Sequence, residues 1–241
     1  MSTLFQAIGY KLGKTAANAK SLFDLLGGEE ESFRAEVRLG HDLAAALLDR
    51  VPLVAEDAGT RFAAEIGRWL AGHLKEKRIP FTIRITAERA LNAFALPGGH
   101  VFLSEALLKV CQGQRDEIAF VLGHEMGHIV LRHTLERVVR DSVFSLLLRQ
   151  SSGKNAASAW LERVGRQALL QAYSRDSELE ADRFAVSLIR TCGGDVLAGQ
   201  NLLQKLAQQA GIQGEGILGE FFATHPPLAE RLGLLRSMPP G

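Results

Sequence analysis

The stretch V-L-G-H-E-M-G-H-I-V-L-R-H, residues 121 to 133, places His124, Glu125 and His128 at positions i, i+1 and i+4. On an α-helix four residues turn through about 400°, so the two imidazoles lie about 40° apart on one face and can converge on one ion. Zinc takes imidazole nitrogen at about 2.0 to 2.1 Å, and a histidine pair at this spacing lets one helix supply two ligands. Glu125 falls about 100° round from His124, beside the ion, where a base for an attacking water is needed. A catalytic zinc also requires a third protein ligand and an open fourth position. S-E-L-E-A-D, residues 177 to 182, offers Glu178 and Asp182, again four apart on one face. Glu178 would complete a His-His-Glu set. Asp182 would accept a hydrogen bond from the outer nitrogen of a ligating histidine, expected to be His124, and so fix its ring and tautomer. Glu180 projects about 200° away from Asp182, onto a solvated or buttressing face. His133, about 140° round a continuous helix from His128, is poorly placed to join the same ion and is read as a bystander, structural or supporting from outside.

The elements that must position these residues are mostly helical. Residues 32 to 50 and 57 to 77 carry apolar positions at helical spacing, the first stopping before Val51-Pro52 and the second with a buried stripe of Phe62, Ile66, Trp69, Leu70 and Leu74. His41 and His73 in these helices are expected to be structural or solvated. F-T-I-R-I-T, residues 81 to 86, alternates with period two and reads as a half-buried strand. Two further strands fit 91 to 96 and 100 to 104, joined by Pro97-Gly98-Gly99. Helices follow at 104 to 111, from 115 through the histidines into the 140s, at 158 to 190 and at 195 to 210, with connections at 151 to 155 and 211 to 216. The expected organisation is a single domain over 1–241, α+β and mostly α-helical. It divides into a helical N-terminal part over 1–79, a small sheet over 80–104 and a helical zinc-binding part over 105–241.

His124-Glu125-Met126-Gly127-His128 followed by Glu178-Leu179-Glu180-Ala181-Asp182 resembles the gluzincin metallopeptidases, specifically the M48 family with its HtpX-like and Ste24-like members. Asn92 to Gly99, Tyr173-Ser174-Arg175 and Thr224-His225-Pro226-Pro227 with Arg231 match the same family, so the resemblance covers roughly residues 90 to 235. It implies a zincin-like fold whose small sheet has an edge strand beside the active-site helix, with one zinc per chain held by His124, His128 and Glu178. It assigns the third ligand to Glu178 rather than Glu180. It also brings His225 near the metal, either in the open position or steadying the tetrahedral intermediate, with Arg231 nearby. Edge-strand residues Asn92, Ala93, Phe94 and Ala95 would receive an extended peptide by backbone pairing, which is indifferent to the peptide's sequence. Membrane-embedded members carry spanning helices that this chain lacks, so it is similar to the compact soluble type.

Composition narrows the function classes. Lys plus Arg total 28 against 27 for Asp plus Glu, so no net field exists to hold a nucleic acid. Cys111 and Cys192 lack any C-x-x-C spacing and indicate neither a disulfide framework nor a cysteine zinc ribbon. Residues 4 to 26 fit an amphipathic helix packed on the domain, with peripheral membrane contact as the other use of such a helix. With no signal peptide or transmembrane run, the expected compartment is the cytoplasm if the sequence is full-length, and periplasmic or membrane-associated if it is trimmed. The expected function is a zinc-dependent metalloendopeptidase acting on polypeptide substrates, with Glu125 as general base and, through the resemblance, a place in protein quality control. The alternative is a protein-binding or holdase module with a closed, mainly structural zinc site. An aminopeptidase is disfavoured because no G-x-M-E-N anchor for a free N-terminus occurs.

Overall fold

The computed structural model describes residues 28–140, 173–213, 225 and 228–239. Helix α1 spans Glu29–Leu48 and α2 Ala58–His73; strands β1, β2 and β3 span Thr82–Thr86, Ala93–Leu96 and His100–Ser104. Helices α3 (Glu105–Val110), α4 (Arg115–Val130), α5 (His133–Arg140), α6 (Arg175–Thr191), α7 (Ala198–Gln213) and α8 (Leu228–Ser237) follow. This is the α+β, mostly helical architecture expected from the sequence. The expected helix over residues 4 to 26 and the loop at 151 to 155 lie outside the described residues.

The sheet has the order β1-β3-β2, with β1 parallel to β3 and β2 antiparallel to it, so β2 is an edge strand. Phe94 opposes Phe102 across the antiparallel pair, their rings stacked at 5.0 Å. Between β2 and β3 the chain reverses through Pro97–Gly99, where Gly98 and Gly99 take φ of 75° and 104° in the region that side chains avoid. Helix α1 lies against this turn so closely that a Cβ on Gly40 would sit 1.7 Å from the Pro97 carbonyl oxygen.

Several helix boundaries differ from expectation. Helix α2, opened by a reciprocal Asp57–Thr60 capping box, stops at His73 rather than 77. Leu74 is buried but extended, and beyond it Arg78 turns back to ion-pair with Glu29, Glu30 and Glu76, leaving no apolar face to continue. Helix α6 does not run unbroken from 158: Ser174 is extended and its hydroxyl caps the Ser177 N–H, so the helix starts at Arg175. Residues 158 to 172 of that expectation fall outside the described residues. At the other end of the chain α7 runs on to Gln213, into the stretch expected as a connection from 211.

One further difference bears on the site. The helix expected to run from 115 into the 140s breaks at Leu131-Arg132, with Arg132 at φ 63°, and α5 restarts at His133. A non-glycine residue at positive φ is uncommon. Here the backbone N–H groups of Leu131 and Arg132 close α4 on the Gly127 and Ile129 carbonyls, and Arg132 Nε lies 3.4 Å from the buried Glu36 carboxylate. Every residue of α4 from Glu117 to Ile129 is buried, so α4 is the central rod of the domain, with the sheet, α2, α6 and α7 packed round it. Its one buried charge outside the histidine cluster, Glu117, is matched by Lys205 Nζ of α7 at 2.7 and 2.8 Å.

Candidate metal centre

His124 and His128 project from α4 and Glu178 from the first turn of α6, the helix most extensively packed on α4. Close approach of the two helices is possible because Gly123 and Gly127 face Ala185 and Phe184; a Cβ on Gly127 would come within 3.0 Å of the Phe184 ring. His124, His128, Glu178 and His225 form a buried group whose ligand atoms all lie within 4.8 Å of one another. The Nε2 atoms of His124 and His128 are 3.1 Å apart, and Glu178 oxygens lie 3.6 Å from the first and 3.3 Å from the second. Ligands at about 2.0 to 2.1 Å round a tetrahedral ion are separated by about 3.3 Å, so the spacing suits zinc.

The hydrogen bonds argue the same way. His124 Nδ1 is 2.9 Å from Asp182 Oδ1, and a carboxylate only accepts, so His124 donates from Nδ1 and turns a bare lone pair at Nε2 toward the cluster. His128 Nδ1 is occupied by His133 Nδ1 at 3.0 Å. Two Nε2 lone pairs facing each other beside a carboxylate fit a cation between them. Burial lowers the pKa of His128 well below the ordinary imidazole value, against the Glu178 carboxylate that raises it, which keeps the ring in its ligating, neutral form. Burial alone would push the Glu178 carboxyl up, but His225, His128 and His124 outweigh it and hold the group well below the usual carboxylate range.

Glu125 is buried beside the cluster, with Oε1 3.5 Å from His225 Nε2 and Oε2 without a hydrogen-bond partner among the described residues. His225 reaches in from the segment before α8. Its Nδ1 donates to the Glu178 carboxylate at 3.0 and 3.1 Å, and its Nε2 lies 3.3 Å from the Ala93 carbonyl. Burial opposes charge on this ring, yet Glu178 and Glu125 together raise its pKa above the ordinary value. Arg231 of α8, 2% exposed, donates from Nε and Nη2 to the two Asp182 oxygens at 2.8 and 2.7 Å, while Nη1 lies 3.5 Å from Glu178. Arg231 therefore lies beside the cluster, with most of its donors facing Asp182.

Edge strand β2 runs along the cluster. The Asn92 carbonyl accepts from Ser104 N–H on β3, so by strand alternation Ala93 and Ala95 turn their backbone groups to the outer edge. Both outward carbonyls carry a side-chain donor, His225 on Ala93 and Arg137 Nη2 on Ala95 at 3.0 Å. The side-chain amide of Asn92, buried, has no partner among the described residues. Arg137 also lies 4.3 Å over the Tyr173 ring, which stacks on His128 with centroids 3.7 Å apart and planes at 12°.

Two groups that sequence reasoning set aside belong to this assembly. The α4 break swings His133 back onto His128, and its other nitrogen meets Glu180 Oε2 at 3.2 Å. The 140° separation assumed a continuous helix; with the break, His133 meets His128 from outside the cluster, one of the two places expected for it. Glu180 does lie on the exposed face that its register gives.

The model of peptidase family M48 matches residues 62–238 of this chain. A beta-barrel assembly-enhancing protease of Escherichia coli (strain K12) is 27% identical over 98% of this chain and 51% of its own length. Mitochondrial metalloendopeptidase OMA1 of Schizosaccharomyces pombe is 30% identical over 64% of this chain and 45% of its own. Metalloprotease YcaL of Escherichia coli (strain K12) is 28% identical over 72% and 67% respectively. The chain spans about half the length of the beta-barrel assembly-enhancing proteases it matches. No helix among the described residues is long and apolar enough to cross a membrane.

Proposed function

The chain belongs to peptidase family M48, and from that premise we propose that it is a zinc-dependent endopeptidase that hydrolyses internal peptide bonds of protein substrates. The observation that carries this reading is the pair of inward-facing Nε2 atoms, 3.1 Å apart on His124 and His128, closed on a third side by Glu178, with Glu125 buried alongside. His124, His128 and Glu178 would hold zinc, whose Lewis acidity lowers the pKa of water from about 15.7 toward about 7 and polarises a carbonyl oxygen.

The remaining chemistry belongs to the chain. Glu125 takes a proton from the attacking water as its oxygen bonds to the scissile carbonyl carbon, then passes that proton to the departing amine nitrogen as the C–N bond breaks. His225 and Arg231 bring positive charge to the side of the cluster where the carbonyl oxygen becomes an oxyanion. The outer edge of β2 offers the Ala93 and Ala95 backbone to an extended substrate, which displaces the His225 and Arg137 donors from those carbonyls. Protein quality control is the proposed setting, and this same chemistry separates the reading from the alternative of a protein-binding module with a closed zinc site.

His225 supports a second reading of the resting form. Its bonds to Glu178 and Ala93 support a closed resting form that opens to admit substrate.

Zinc content and casein cleavage on the purified protein provide the test. Wild type should carry one zinc per chain and cleave; Glu125→Gln should keep the zinc and lose roughly 10²- to 10⁴-fold in turnover. His124→Ala should lose both. Undiminished cleavage by Glu125→Gln defeats the assignment, and unchanged client binding by a wild type that never cleaves favours the holdase alternative.

A further inference from the structure

His128 is held on two sides. The Tyr173 ring, stacked at 3.7 Å, fixes the plane of its imidazole. A plane is not an orientation, because a half-turn about the Cβ–Cγ bond preserves the stack while replacing Nε2 by a carbon at the position that faces the cluster. A contact made by Nδ1 distinguishes the two. That contact is His133 Nδ1 at 3.0 Å, and its meaning depends on which nitrogen carries the proton.

The answer lies one residue further out. His133 Nε2 is 3.2 Å from Glu180 Oε2, and an ionised carboxylate has no proton to give, so His133 donates from Nε2. A neutral imidazole with its proton on Nε2 presents Nδ1 as a bare acceptor. His128 must then donate from Nδ1, which leaves its own Nε2 lone pair free on the cluster side, 3.1 Å from His124 Nε2. At His124 a carboxylate, Asp182, does this directly. At His128 no carboxylate among the described residues reaches Nδ1, and the same instruction is relayed through a second ring. The helix break at Arg132 makes the relay possible: on a continuous helix His133 would point about 140° away from His128.

We infer that Glu180 and His133 are positioning residues, a carboxylate–histidine relay that orients His128 and fixes its tautomer for metal ligation. The inference rests on the metallopeptidase reading above. Outer partners of this kind are worth 10- to 100-fold in metal affinity. His133→Phe fills the space of the ring but has no acceptor, whereas His133→Asn can place an amide oxygen near the Nδ1 position.

The test measures zinc dissociation constants by chelator competition, and the visible spectrum of the cobalt-substituted protein, for wild type, His133→Phe, His133→Asn and Glu180→Ala. His133→Phe should weaken zinc by 10- to 100-fold and alter the cobalt spectrum. His133→Asn should recover most of that affinity, and Glu180→Ala should lose affinity in the same direction by a smaller factor. Wild-type affinity and spectrum in His133→Phe overturn the relay, as does a His133→Asn protein no better than His133→Phe. Should the His133 variants fail to fold, Glu180→Ala at an exposed position decides, and unchanged zinc affinity there overturns the proposal. A wild type that takes up no zinc defeats the metallopeptidase reading itself, a different outcome from a zinc-loaded wild type that His133→Phe matches.

Discussion

Asp182 serves two neighbours at once. Its Oδ1 accepts a hydrogen bond from His124 Nδ1–H, and its two oxygens accept two N–H groups of Arg231, which burial disfavours as a charge and which Asp182 and Glu178 restore to a firmly charged state. Burial likewise pushes the Asp182 carboxyl up, but Arg231 and His124 outweigh it and hold it well below the usual range. Asp182→Asn keeps the shape and removes the charge, leaving a buried guanidinium half-paired. It should destabilise the metal-free protein by about 3 to 5 kcal/mol in a denaturant titration. A loss under about 1 kcal/mol would show that Arg231 does not depend on Asp182. Asp182 was legible in the sequence, because it stands four residues from Glu178 and a ligating histidine needs an acceptor. Arg231's grip on it was not, because α8 lies 49 residues downstream and no spacing rule reaches that far. His133 was misplaced for a local reason: its bearing was computed along a helix that does not continue.

Among the elements, most existence and type were legible and several boundaries were not. Helical periodicity found α1 and α2 and alternation found β1, while β2 and β3, buried along their whole length, were found from the Pro97-Gly98-Gly99 turn between them. Periodicity could not find the α4 break, because α4 is buried all round and no change of face marks its end. The α1 contact with the Pro97–Gly99 turn was equally hidden, since it depends on an absent side chain. Gly40→Ala would drive a Cβ into backbone, at 1.7 Å from the Pro97 oxygen, where no rotamer can yield. It should cost at least about 1 to 3 kcal/mol and shift the turn that sets the end of β2. Gly72, exposed near the end of α2 with nothing within 4 Å of its missing Cβ, is the control. There the same substitution should stabilise by about 0.4 to 1 kcal/mol. Thermal midpoints of the two variants should therefore move in opposite directions, and a shift of the same sign in both would refute the packing argument.

At the scale of the whole molecule, two buried groups away from the cluster tilt stability against pH in opposite senses. Burial raises the Glu36 carboxyl from 4.5 to about 7, with Arg132 opposing, so the folded state holds a proton the unfolded chain releases. Its stabilising effect is complete below pH 4.5 and is lost as pH rises through 7. His100 is lowered from 6.5 to about 4, first by burial and then by Arg84 and His41, so stability present above pH 6.5 is lost as pH falls through 4. Glu36→Gln removes the first slope and leaves the second. The variant's advantage over wild type should grow from near zero at pH 4.5 to about 3 kcal/mol above pH 7, read from urea midpoints. An advantage independent of pH would mean Glu36 ionises normally. Nothing in the sequence marked Glu36, which is buried where α1 packs on the Pro97–Gly99 turn, with Arg132, almost a hundred residues on, beside its carboxyl. The same holds for the pairing of α4 with α6. His124 and His128 are spaced by the pitch of one helix, and Glu178 and Asp182 by the pitch of the other, so within each pair little is left to adjust. The freedom that remains is the separation of the two axes, and Gly123 and Gly127 set it by what they lack. Two missing side chains thus set the gap between the helices, and with it the size of ion that the proposed ligands would accept.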